Sequence, residues 1–191
     1  MTVKNGVTSM DADLALIMDI KAGNKMALAK LVEKHKKLAY LTALGLVGNK
    51  DDAYDISQEA FLRVFRSART FDEKQAFLPW FYTIIANLCR TWLRRRTRRE
   101  KPMLDVDDVS YLLVDSANPE TEMIRRETID RLRRALMDLS FEDREIITLQ
   151  HFRGMSYDEI ATLLEIPKGT VMSRLYYARK KLAKLMESND G

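Results

Sequence analysis

The segment SYDEIATLLEIPKGTVMSRLYYARKKL, Ser156 to Leu182, decides how the chain is read. Ser156, followed three residues on by Glu159, has the form of a capping box. The serine oxygen accepts from a first-turn N–H, and the glutamate reaches back to the serine N–H. Ile160, Ala161 and Leu164 then lie on one side of a short helix. Glu165 and Ile166 turn the chain, and Pro167 restarts it. In the second helix Val171, Leu175, Ala178 and Leu182 are spaced 4, 3 and 4 apart, a single apolar stripe. At about 100° per residue the opposite face falls on Gly169, Ser173, Tyr176, Tyr177 and Lys180, with Thr170, Met172 and Arg174 at its flanks.

Two short helices with these faces have the pattern of a helix-turn-helix, whose second helix enters a DNA major groove with its N-terminal half leading. The groove face is small and polar near its start, so it can approach base edges closely. Lys168 and Thr170 sit where phosphates would meet the positive end of a helix. Arg179, Lys180, Lys181 and Lys184 would follow the phosphate backbone. An amphipathic hairpin with a solvated charged face shares this pattern, so the motif alone leaves both readings open.

Charge elsewhere sharpens the choice. Residues 90–101 carry seven cations against Glu100 alone, residues 102–122 carry six acids and no base, and residues 168–184 carry six cations and no acid. Two basic faces separated by an acidic strip suit a polyanion held at two places. The first basic face ends FLPWFYTIIANLCRTWLRRR, Phe77 to Arg96. Trp80, Ile84, Leu88 and Trp92 form one stripe and are expected in a core. Asn87, Arg90, Thr91, Arg94 and Arg95 remain as a candidate nucleic-acid face, since arginines near aromatics can follow a single strand while splayed bases pack in apolar pockets.

The chain has 191 residues, 46% apolar, with seven glycines, four prolines and a net charge of +4. That composition favours helix, and no convincing strand or fixed-period repeat is found. Cys89 stands alone, which excludes a disulfide framework or thiolate cluster, and it reads as packing rather than as a redox sensor. Two separated histidines make no metal case, so neither metal nor cofactor is expected. No Gly-rich phosphate loop, paired histidines or nucleophile motif supports an enzyme. No apolar run approaches a membrane span, and the N-terminus lacks a signal peptide's apolar core, so no membrane insertion and a cytoplasmic location are expected.

The pattern predicts two small helical domains, all-α, joined by an acidic linker. Residues 1–10 read as a flexible tail, 11–100 as the first domain, 101–122 as the linker and 123–187 as the second domain. Helices are expected from a cap at Asp11 or Asp13 to about Ala22, over Lys25 to Val47, from about Asp52 to Ala68 after a capping acid in GNKDD, and over Phe77 to Arg96. After ANPET, one helix runs to Met137 and another, started by Ser140 or Asp143, to about Phe152.

The third helix, DDAYDISQEAFLRVFRSA, followed by FDEKQAFLPWFYTIIANLCRTWLRRR and by LSFEDREIITLQHFRGMSYDEIATLLEIPKGTVMSRLYYARKKL, closely resembles bacterial extracytoplasmic-function sigma factors over about residues 11–187. The resemblance implies a subunit that directs core RNA polymerase to promoters in a stress or envelope response. It implies a first domain (sigma region 2) that docks the polymerase and melts the minus-ten element. It implies a second (sigma region 4) that reads the minus-thirty-five element as duplex. It places the polymerase contact on Asp55, Gln58, Glu59, Leu62 and Arg63. Minus-ten recognition falls on the loop Thr70 to Phe77 and on Asn87, Arg90, Thr91, Arg94 and Arg95. Minus-thirty-five recognition falls on Lys168, Thr170, Met172, Ser173, Tyr176, Tyr177, Arg179 and Lys180. The loop FDEKQAF departs from the Gly- and Ser-rich loops common in such proteins, and Met172 replaces a frequent arginine, so base preference is not transferable at either place. The resemblance also implies an anti-sigma factor as a partner. A stand-alone helix-turn-helix regulator is the competing reading.

Overall fold

The structure, a computed structural model, describes residues 5–96 and 119–188. All its regular elements there are helical. They are α1 (Asn5–Lys21), α2 (Lys25–Val47), α3 (Lys50–Ser67), a 3-10 turn (Ala68–Thr70), α4 (Phe77–Arg96), α5 (Pro119–Asp138), α6 (Phe141–Ile147), a π-helical turn (Thr148–Phe152), α7 (Tyr157–Leu164) and α8 (Lys168–Ser188).

Local chemistry sets the boundaries. The Asn24 side chain caps α2 by accepting from the N–H groups of Met26 and Ala27, at 3.0 and 3.4 Å. That helix ends at Gly48, whose φ of 72° is in the left-handed region and whose N–H returns to the Leu44 carbonyl. Asn49 then caps α3, accepting from Asp52 N–H at 2.9 Å, so an amide rather than the expected acid starts that helix, and it starts at Lys50. The capping box at Ser156 and Glu159 is formed in full. The turn before α8 places Glu165 at φ 54°, the one non-glycine with positive φ among the described residues.

Three expectations are corrected. Helix α1 begins at Asn5, so the tail read as reaching residue 10 is helical from residue 5, and residues 1–4 lie outside the described residues. Asp13 is not a cap. It is 2% exposed inside the bundle, where its Oδ1 accepts from Lys34 Nζ at 2.7 Å and lies 2.9 Å from His35 Nε2. Burial alone would push this carboxyl up; the bonds to His35 and Lys34 outweigh it and hold the pKa below the usual 3.8. Helix α5 takes in residues 119–122 of the expected linker. Residues 97–118, with the cations at 98, 99 and 101 and most of the acidic strip, lie outside the described residues.

The first core packs α1 to α4 around Phe81, which stacks on Phe77 at 5.2 Å between ring centres and tilts against Phe61 at 4.9 Å. On α4 the buried stripe is Phe77, Phe81, Ile85, Leu88 and Cys89. Trp80, Ile84 and Trp92, expected at its centre, are half-buried at its edge. Helix α4 packs against several helices at once, so its apolar sector is wider than one stripe. The second core gathers Leu136, Leu139, Ile146, Leu149, Ile160, Val171, Leu175 and Ala178. The stripe predicted for the last helix is thus buried through Ala178, with Leu182 half-buried.

The two units are not merely tethered. Tyr82 and Ala86 of α4 belong to the second core. Phe141 packs against both cores. Gly45 lets the π-helical turn approach α2: a Cβ there would stand 2.8 Å from Thr148 Oγ1. The buried Arg144 of α6 donates to Leu46 O of α2 at 2.6 Å, and to Met137 O and Leu139 O at the end of α5, each at 3.1 Å.

Candidate nucleic-acid interface

Helix α8 stands on its buried side through Val171, Leu175 and Ala178. Its other side is therefore presented outward. Lys168, Gly169, Met172, Ser173, Tyr176, Tyr177, Arg179 and Lys180 are all exposed, and Thr170 is half-buried. Pro167 O accepts from the N–H groups of Thr170 and Val171 at 2.8 and 3.1 Å, which fixes the first turn. Tyr176 and Tyr177 meet edge to face at 5.2 Å and are 61% and 60% exposed. The two rings thus present their faces to solvent on the outer side of α8. Tyr157 lines a shallow concavity with Met172, Tyr176, Arg179 and Lys180.

The cations on this face differ. Lys168 is held by Asp158 at 2.8 Å. Arg179 donates to His151 Nε2 at 3.1 Å and to Gln150 Oε1 at 2.8 Å. Burial and the Arg179 charge both lower the His151 pKa, which keeps the ring neutral and able to accept. No carboxylate among the described residues holds Lys180. His151 and Gln150 as holders of Arg179 were not legible in sequence, because they precede it by 28 and 29 residues.

On α4, Asn87, Arg94 and Arg95 are exposed and Thr91 is half-buried; these four follow one side of the helix. Arg90 departs from them. Its guanidinium lies 4.4 Å over the Phe141 ring and 3.4 Å from Glu145 Oε1, so it faces the second unit. The loop before α4 is folded on itself, with Asp72 accepting from the N–H groups of Lys74 and Gln75, and Glu73 is tied to Lys21 of α1 at 2.9 Å.

On α3, Asp55, Gln58, Leu62 and Arg63 are exposed and Glu59 is half-buried, pairing with Arg63 at 3.3 Å and Arg66 at 3.5 Å. Sequence reasoning missed Tyr54 and Phe65, 59% and 38% exposed beside Leu62 at 47%. Their signal was available: they are aromatic residues off the stripe Ala53, Ile56, Ala60 and Val64. Together with Leu62 they give the outer face of α3 three large apolar groups. Cys89 is fully buried, and burial pushes its thiol up to about 12. It has neither the exposure nor the thiolate character of a redox sensor.

Comparison with known proteins agrees with this geometry. The Sigma-70 region 2 family model matches residues 31–99, and the Sigma-70, region 4 model matches residues 129–182. RNA polymerase sigma-H factor of Pseudomonas aeruginosa is 31% identical over 186 residues, 94% of this chain and 96% of that protein. ECF RNA polymerase sigma-E factor of Haemophilus influenzae is 32% identical, over 89% of this chain and 93% of that one. The chain belongs to the extracytoplasmic-function sigma factors. Among solved structures, CnrH in complex with the cytosolic domain of CnrY matches at 25% identity and TM-score 0.64, covering 93% of this chain and 98% of that one. The sigma factor RpoE in complex with the anti-sigma factor NepR from Bartonella quintana shares the fold, at 22% identity and TM-score 0.56. As a sigma factor the chain is a transcription initiation factor that works with RNA polymerase and promoter DNA. No described helix is long and apolar enough to cross a membrane.

Proposed function

We propose that the unit of α1 to α4 docks core polymerase and opens the minus-ten element, and that the unit of α5 to α8, joined to it by the stretch between them, reads the minus-thirty-five duplex. The observation that carries this is the outward face of α8. Gly169, Met172, Ser173 and Tyr176 stand exposed over a helix whose other side is fully buried, as a reading helix requires. The outer face of α3, with Asp55, Gln58, Glu59, Leu62 and Arg63 joined by Tyr54 and Phe65, takes the polymerase. Asn87, Thr91, Arg94 and Arg95 follow the separated strand. Arg90 joins them once it leaves Glu145. Lys168, Arg179 and Lys180 position the duplex through phosphates. Thr170, Met172, Ser173, Tyr176 and Tyr177 face the bases and sugar edges.

The chain supplies binding energy and strand geometry, and catalysis stays with the polymerase. It acts in the cytoplasm, where an anti-sigma factor covers it until a stress or envelope signal releases it. Purified chain added to sigma-free bacterial polymerase should produce run-off transcripts from promoters of its own host. Alanine at both Gln58 and Glu59 should weaken that assembly while leaving the helical fold intact by circular dichroism. Full assembly by the double variant would remove α3 from the polymerase contact.

A further inference from the structure

The loop before α4 carries a charge that does not suit its place. FDEKQAF holds two acids, Asp72 and Glu73, against the single cation Lys74. A carboxylate beside a strand of phosphates repels it unless a cation or a fixed hydrogen bond answers the charge.

The structure answers each acid differently. Asp72 is satisfied inside the loop: its carboxylate accepts from Lys74 N–H at 2.9 Å, and its carbonyl accepts from Gln75 N–H at 3.1 Å. Glu73 has its partner outside the loop. Its Oε1 accepts from Lys21 Nζ of α1, 52 residues earlier, at 2.9 Å. With Lys21 the cluster holds two acids and two cations; without it one negative charge is left over.

This tie is sheltered and its surroundings are fixed. Lys21 ends α1, where a cation suits the negative end of the helix. Its side chain is 19% exposed, so dissolved ions screen the pair less than they screen an open surface bridge. Aromatic rings hold both feet of the loop. The buried Phe71 ring lies 4.9 Å from the Trp80 ring, and the buried Phe77 ring lies 6.2 Å from it. Helix α1 steadies the second foot as well: Asp13 Oδ1 lies 2.9 Å from His35 Nε2, and the His35 ring stands 5.3 Å from Phe77. The backbone between the feet thus has a set path, while Asp72, Glu73, Lys74 and Gln75 are exposed along it. Lys21 settles where the Glu73 carboxylate goes. Its own ammonium is already bonded and its stem is mostly covered, so it acts through Glu73.

We propose that Lys21 is a positioning residue for minus-ten recognition: from the end of α1 it holds and neutralises Glu73, so that the loop before α4 meets the separated strand without net negative charge. This rests on the assignment of that loop to the minus-ten strand.

The test titrates holoenzyme, made with the full chain, against a promoter duplex left single-stranded across the minus-ten element, by fluorescence anisotropy at several KCl concentrations. Lys21→Ala should weaken binding about two- to fivefold at low salt, and the deficit should shrink as salt rises. Lys21→Arg should keep nearly full affinity. Lys21→Ala combined with Glu73→Gln should recover the loss, because no carboxylate is then left to answer. Thermal midpoint and assembly with core polymerase should stay close to those of the parent in all three, so a damaged fold cannot produce this order. If Glu73→Gln fails to rescue Lys21→Ala, the lysine meets the strand itself and the proposal is overturned. Parental affinity of Lys21→Ala overturns it too, and Lys74→Ala then locates the fault. Where Lys74→Ala weakens binding to the single-stranded element, the loop assignment stands and only the role of Lys21 falls. Where neither variant changes that binding and the minus-thirty-five duplex is bound normally, the loop does not meet the strand and both readings fall.

Discussion

Lys180 offers the cleanest separation of phosphate positioning from base reading. It is exposed on α8, one helical turn beyond Tyr176, with no carboxylate of the described residues beside it. Its neighbours are compromised: Lys168 is neutralised by Asp158 at 2.8 Å and Lys181 by Asp143 at 2.6 Å. A free lysine ammonium on a phosphate releases one condensed counterion, which contributes about 0.9 to the slope of log K against log salt. Lys180→Ala should therefore shallow that slope by about 0.9. Between about 50 and 200 mM salt the ratio of wild-type to variant affinity should shrink about 3.5-fold. The loss should be the same on every promoter. Lys181→Ala should change the slope less, because its ammonium must first leave Asp143. The assay is fluorescence anisotropy of holoenzyme on promoter fragments at several KCl concentrations, repeated with an altered minus-thirty-five element. A ratio constant across salt, or a loss confined to one promoter sequence, would refute the assignment of Lys180 to the backbone.

Further outcomes follow from single contacts. Ser156→Ala removes the oxygen that accepts from Glu159 N–H at 3.3 Å, and should lower stability by about 1 kcal/mol in urea titration, with Ser156→Asp recovering most of it. Phe81→Ala, at the fully buried centre of the first core, should cost about 3–5 kcal/mol and lower the thermal midpoint accordingly. Asp13 has its folded pKa held below 3.8, so its favourable contribution is complete above that value and is lost as pH falls through the depressed one. Asp13→Asn should be less stable at neutral pH yet lose less on acidification below pH 3.8, read as a flatter acid limb of the urea midpoint; an unchanged acid limb would remove Asp13 from the account.

Much of this protein is written in short-range pattern. The stripe Val171, Leu175 and Ala178 identifies the reading helix because a buried period of 3.6 leaves the other face outward wherever the helix is placed. The capping box at Ser156 and Glu159 is likewise local, since its partners are three residues apart. The order of segments and the faces of α3 and α8 were legible on the same grounds. Boundaries that depend on alternatives within one turn were not: Asn49 and the acids after it compete for the same first-turn N–H groups, and Asn49 prevails.

What tertiary structure alone decided is the relation between the units and the fate of their polar groups. In LSFEDREII nothing local marks Arg144 and Glu145 for burial; the approach of α2 and α4 buries them, and that approach rests on Gly45, about a hundred residues earlier. Arg90 lies in a run that reads as a strand-binding face, yet Phe141 and Glu145 draw it across the seam. Asp13 reads as a cap and becomes a buried partner of His35 and Lys34. Periodicity reports which side of a helix avoids water. It carries no information on which distant surface meets that side, because packing partners are chosen by shape and charge in three dimensions.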